Sequence, residues 1–182
     1  MTPFQLIKAD LFRYTAQYSF SALIKNLLNS NCGFKYMFWF RLCLSKNYIV
    51  RFTAQFMHRH LSIKYQIQIP KETKIGPGLY LGHATSIVIN STAVIGKNCN
   101  LSQFTTIGSN YGQAAVIGDN VYIGPNVCVV EHVLIGNCAA IGAGSVVVKN
   151  VLDNCTVVGN PARVISDKQE GIFIVNPFEG DH

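Results

Sequence analysis

The chain has 182 residues, enough for one ordinary domain with an appendage. Hydrophobic residues make up 49% and charged ones 13%, which supplies a core and excludes wholesale disorder. No run of about eighteen apolar residues occurs, and the opening MTPFQLIKAD lacks the charged-then-apolar layout of an export signal, so the expectation is a cytoplasmic protein.

The net charge of +6 is unevenly spread. Residues 1–66 carry nine Lys or Arg against one acid, Asp10, whereas residues 67–182 carry six bases and eight acids. Such asymmetry predicts two parts with different roles. In the basic part, apolar residues recur at roughly helical spacing over 3–31 and 33–62 (Phe4, Ile7, Leu11; Phe20, Leu23, Leu27; Phe38, Leu42; Ile49, Phe52, Phe56). Two or three helices are predicted, broken at 29–33 and near Asn47. Phe34, Tyr36, Phe38, Trp39, Phe40, Phe52 and Phe56 lie among the bases. They read either as packed core beneath a solvated basic face, or as a peripheral contact with an anionic membrane or a lipid-linked substrate at its inner face. Nucleic acid is not an expected partner, because no binding motif accompanies the charge. His58 and His60 read as surface residues.

Residues 67–165 follow a six-residue period. An Ile, Leu or Val recurs at 69, 75 and 81, at 89, 95, 101 and 107, and at 117, 123, 129, 135, 141 and 147. Gly follows it at eight of these places, and four residues on come mostly small side chains, among them Thr73, Thr85, Ala93, Cys99 and Thr105. Leu79 is the one larger residue in that register, and Tyr111 falls in an interruption. Short strands joined by tight turns and stacked coil on coil bury one aliphatic per turn, and the second inward slot must be small where three walls converge. The pattern predicts a parallel β-helix, mainly β, of four coils and part of a fifth. Two slips break it: eight residues from Leu81 to Ile89, a slip that directly follows His83, and ten from Ile107 to Ile117, extruding Ser109–Gln113. Solenoids place insertions on the binding face. Gly159-Asn-Pro-Ala-Arg163 predicts a turn, and 166–182 a polar tail without structural signal.

Six cysteines, at 32, 43, 99, 128, 138 and 155, form no Cys-x-x-Cys pair and read as reduced, mostly buried small residues. Only His83 and His132 fall within the repeat, too few for a three-histidine metal site, so no metal is expected.

The segment Ile75-Gly-Pro-Gly-Leu-Tyr-Leu-Gly-His-Ala-Thr-Ser-Ile-Val-Ile-Asn90 resembles the serine-acetyltransferase branch of the hexapeptide-repeat acetyltransferases, and the resemblance continues through 100–108, 141–146 and 159–163. It implies a left-handed β-helix with a short α-helical N-terminal region, a homotrimer with active sites between neighbours, and acetyl-CoA as donor. His83 matches the catalytic histidine, a general base that takes a hydroxyl proton as the oxygen attacks the thioester. The positions matching cofactor contacts are Gly124, Pro125, Ala143, Lys149 and Arg163; Gln68, Asn90 and Gln103 are the candidate acceptor-binding residues. Glu131-His132 is a rival base, similar to a Glu-His pair in nucleotide-sugar N-acetyltransferases of the same superfamily.

Serine acetyltransferases carry an Asp fifteen residues before the histidine, an Asp just before it, and a second histidine in the glycine-rich loop. This chain has Gln68, Gly82 and Ala114 at those places. With Gly33-Phe-Lys-Tyr-Met-Phe-Trp-Phe-Arg41 upstream, it is more similar to the sugar O-acetyltransferases of bacterial capsule and O-antigen synthesis. That resemblance implies a sugar or glycan acceptor in surface-polysaccharide synthesis. The alternatives are serine O-acetylation and an inactive β-helical assembly or binding module.

Overall fold

The computed structural model describes residues 1–29, 31–168 and 173–180. Helices α1 (Pro3–Thr15), α2 (Phe20–Leu28), α3 (Cys32–Leu42) and α4 (Tyr48–Tyr65) come first. Among the described residues there are thus four where two or three were predicted. The missed division lies between Ala16, which ends α1 in the left-handed conformation, and Ser19, whose side chain accepts from the Ala22 amide and starts α2.

Short strands follow in chain order: β1 (Lys74–Ile75), β2 (Tyr80–Leu81), β3 (Val88–Ile89), β4 (Val94–Ile95), β5 (Asn100–Leu101), β6 (Thr106–Ile107), β7 (Val116–Ile117), β8 (Tyr122–Ile123), β9 (Cys128–Val129), β10 (Leu134–Ile135), β11 (Ala140–Ile141), β12 (Val146–Val147), β13 (Thr156–Val158) and β14 (Arg163–Ser166). Up to β12 every third strand pairs in parallel, so the chain winds around three faces. Face one is β1-β4-β7-β10, face two β2-β5-β8-β11-β13-β14, and face three β3-β6-β9-β12; β14 alone is antiparallel. The architecture is a parallel β-helix.

The periodic aliphatics stack as three inward columns. Ile69, Ile89, Ile107, Val129 and Val147 form one, and each is at most 2% exposed. The slips shift which residue fills the second slot. Ile87, not Thr85, is buried after the first slip, and Ala115, not Tyr111, after the second. A third irregularity closes the helix: Ile135 pairs with Val151, sixteen residues on, whereas Val116 pairs with Leu134, eighteen residues on. Glycine is required where coils stack tightest. A Cβ on Gly96 would stand 2.5 Å from the Gly118 carbonyl oxygen, whereas one on Gly108 would meet nothing nearer than 4.0 Å.

The helices cap the open end of the β-helix. Phe34, Tyr36 and Phe40 of α3 are buried, while Phe52 and Phe56 of α4 are exposed, so the basic-part aromatics divide between core and solvent. His58 is half-buried, 4.8 Å from the Tyr36 ring, and burial lowers its pKa; it is not the surface residue expected. The tail is not structureless either. Phe178 is buried and exchanges two hydrogen bonds with the Asn98 side chain, and the Phe173 ring lies 4.7 Å from Tyr122. Face two is therefore covered, by α1 and the tail. Of the cysteines, 43, 99 and 155 are buried, 32 and 138 half-buried and 128 exposed; among the described residues none forms a disulfide. Burial is thus less general among them than expected. Among the described residues, no helix is long and apolar enough to cross a membrane.

Candidate functional site

Each coil turns a corner with one residue of positive φ just before the inward small residue. Between faces two and three these are Ser86, Phe104, Asn126 and Gly144, at 50°, 60°, 60° and 70°. His83 has φ 48° in the same corner but outside that register. It occupies the two residues added by the first slip, and it is exposed. A side chain in this region of backbone space needs a surrounding structure that fixes it. Here α1 and α3 hold β2, the strand leading into His83. The Tyr14 hydroxyl accepts from the Leu81 amide at 2.9 Å, and Gly33 approaches so closely that a Cβ would lie 2.4 Å from the Leu81 carbonyl oxygen. Burial pushes the Tyr14 phenol well above its ordinary pKa, keeping it neutral.

The same corner carries Gln103, Gly124, Pro125 and Ala143 on successive coils. The Phe104 amide donates to the Thr85 carbonyl, Asn126 to Gln103, and Gly144 to Pro125. Among the described residues the amide of exposed Ala143 donates to no group. The predicted base, one acceptor residue and three donor-binding residues therefore lie on one edge. Gln68 stands apart at the start of face three, bridged to Val88. Asn90 and Lys149 lie at the next corner, between faces three and one. Arg163 opens β14, at the far edge of face two. Among the described residues, neither the His83 ring nor the Gln68 side chain has a hydrogen-bond partner within the chain.

The next corner explains Glu131 and His132. The Glu131 carboxylate accepts from the Asn110 amide at 2.6 Å, the Tyr111 amide at 3.1 Å and the Ser109 hydroxyl at 3.1 Å. His132 Nε2 lies 3.2 Å from the Tyr111 carbonyl oxygen, and Gly112, at φ 100°, passes so close that a Cβ would touch the imidazole at 3.0 Å. The Tyr111 and Asn110 amides hold the Glu131 carboxyl below the usual carboxylate range. His132 has φ 61°, the ordinary corner residue of its coil. The pair anchors the extruded segment 109–113, and the Asn90 side chain adds a third tether by donating from Nδ2 to the Ser109 carbonyl at 3.3 Å. This anchoring was missed from sequence; its only signal was that 131 falls one coil after the insertion, on the same corner.

Residues 114–149 match the model of a family described as bacterial transferase hexapeptide (six repeats). Among curated proteins, the chain is 39% identical over 119 residues to serine acetyltransferase 3, mitochondrial, of Arabidopsis thaliana, covering 63% of this chain and 30% of that protein. It is 36% identical over 119 residues to the serine acetyltransferase of Escherichia coli K12, covering 63% and 44%. The chain thus spans less than half the length of these relatives. Among solved structures, the soybean serine acetyltransferase apoenzyme superposes with a TM-score of 0.73 at 32% identity, over 88% of this chain and 69% of that one. The serine acetyltransferase of Brucella abortus strain S19 gives 0.73 at 29%, over 92% and 69%. These relatives and solved structures are all named as serine acetyltransferases, the branch whose acceptor was given above as an alternative, and not as sugar O-acetyltransferases of capsule or O-antigen synthesis.

Proposed function

The chain belongs to the hexapeptide-repeat acetyltransferases, and from that premise we propose that it transfers an acetyl group from acetyl-CoA to a hydroxyl, with His83 as general base. One observation carries the assignment: among the described residues, His83 is the one non-glycine corner residue of the β-helix that stands outside the coil register, at a slip, with positive φ. The imidazole takes the proton of the acceptor hydroxyl as its oxygen attacks the thioester carbonyl. The tetrahedral oxyanion then needs an N–H donor, and collapse expels the CoA thiolate, which the imidazolium can protonate. No cysteine is required as nucleophile. The unengaged Ala143 amide on the same edge, with Gly124 and Pro125, suits the donor's amide-bearing arm. Lys149 and Arg163 suit its phosphates.

The copy number follows the same reading. Within one chain the edge with His83 and the corner with Asn90, Lys149 and the anchored segment 109–113 bound opposite sides of face three, whose outward Val88 is 37% exposed. A homotrimer brings one chain's edge against another's corner and gives three equal sites. Sedimentation at three times the chain mass is expected, and a monomer at micromolar concentration overturns the shared site.

The acceptor proposed first is L-serine, on the strength of the relatives. A specific observation favours a second reading, a sugar hydroxyl: Gln68, Gly82 and Ala114 leave the acceptor side without the charged groups that hold an ammonium and a carboxylate. Acetyl-CoA consumption with L-serine, with a panel of sugars and without acceptor decides among them. Acetylserine by mass spectrometry supports the first reading and transfer to sugar alone the second. CoA release that no acceptor raises above the acceptor-free rate leaves neither standing and supports the inactive assembly.

A further inference from the structure

Helix α4 has two apolar sides. One, with Ala54 and Leu61, is buried against the rest of the protein. The other consists of Tyr48, Ile49, Phe52, Phe56 and Ile63, each between 64% and 74% exposed. At about 100° per residue, these five fall within a single arc of about 100°, opposite Ala54 and Leu61. The stripe runs for about 22 Å along the helix. Exposed apolar patches of this kind mark an interaction surface.

The charges around the stripe choose its occupant. Arg59 lies within the arc, Lys64 and His60 along one edge and Arg51 beyond the other; Arg59, His60 and Lys64 are exposed. No acidic residue occurs between residues 11 and 71, and Asp10 is spent on Arg41 in the interior. A second copy facing this stripe would set bases against bases with no carboxylate between them. An anionic lipid surface satisfies both features at once: acyl chains take the aromatic and aliphatic side chains, and headgroup phosphates take the bases, whose long stems reach outward. We propose that α4 lies in the interface of an anionic bilayer and holds the protein there as a peripheral membrane protein. Phe20 and Leu28 of α2, 76% and 79% exposed, are further apolar residues of the same basic part.

The test is flotation of the full chain with phosphatidylcholine vesicles, with and without about 30% phosphatidylglycerol, at ~0.1 M and ~0.5 M NaCl. Phe52→Glu/Phe56→Glu and Arg59→Gln/Lys64→Gln are run beside it. All four side chains are solvent-facing, and the charge variant introduces nothing a folded chain must bury. Binding to the anionic vesicles is expected, weaker by roughly tenfold or more on neutral vesicles, at the higher salt and in either variant. The sedimentation mass should not change. No binding to anionic vesicles, or equal binding to both compositions, overturns the proposal. So does a lower sedimentation mass for Phe52→Glu/Phe56→Glu, which would make the stripe a contact between copies.

Discussion

The Asp10 carboxylate lies 2.8 Å from Arg41 Nε, and each side chain is only 1% exposed. The pair joins α1 to α3 and both to the first coil. Asp10 also accepts from the Gly78 and Leu79 amides at 3.0 Å each, and Arg41 donates to the Ile75 and Gly76 carbonyls at 2.7 and 2.6 Å. The first coil of a solenoid presents backbone groups with no preceding coil to pair them. Here an ion pair from the helices satisfies them. Asp10→Ala leaves a buried guanidinium without its partner and is expected to cost about 3–5 kcal/mol, read from the denaturant midpoint. A loss under about 1 kcal/mol would show that apolar packing alone holds the cap.

His83→Ala should lower turnover by roughly 10²- to 10⁴-fold, the usual contribution of a general base, with little change in acetyl-CoA binding. His132→Ala should be milder, because that ring contacts the Tyr111 carbonyl in the anchored segment. Steady-state kinetics of both variants checks the order. If His132 proves the more damaging, the base lies at the other corner.

Gly82→Asp tests what orients the base. Residue 82 has room, since a Cβ there meets nothing nearer than Tyr80 Cε1 at 3.4 Å. A carboxylate beside His83 stabilises the imidazolium that forms as the acceptor hydroxyl gives up its proton. Gly82→Asp should therefore raise kcat/KM at neutral pH, with acetyl-CoA binding unchanged. An unchanged kcat/KM would mean that residue 82 does not reach the ring.

Segment 109–113 should come loose in acid. The folded-state pKa of Glu131 is depressed, first by the Tyr111 amide and then by that of Asn110. Its contribution is present above the ordinary glutamate pKa of about 4.3 and fades as pH falls through the lower folded value. Amide exchange at residues 110 and 111 should be slow near neutrality relative to Glu131→Ala, in which the acceptor is gone. Equal exchange rates in the two proteins would show that the carboxylate does not anchor the segment.

The β-helix was legible in the sequence because its core has almost no freedom: one aliphatic per six residues, a small partner and a corner glycine leave a periodic trace. His83 was legible for the complementary reason, that an added pair of residues is conspicuous against a strict period. Thr85 shows where that reasoning fails. Counting forward from Leu81 assigns it an inward slot, but the insertion is absorbed in the turn. The buried position is then Ile87, counted back from the next strand, as Ala115 is after the second insertion. The step from Val147 to Val151 escaped for the same reason.

The amino-acid order by itself determined the coils, the place of both insertions and the division between a basic helical part and a nearly neutral repeat. Those are local matters, set by side-chain size and spacing within one turn. Only the tertiary structure decided that Glu131 reaches back twenty-one residues to hold Asn110, that Asp10 and Arg41 close the first coil, that residues 173–180 cover face two, and that Phe34 is core while Phe52 meets solvent. Each depends on which corner, face or helix side two distant residues share. That is fixed by the winding of the whole chain, and no local spacing records it.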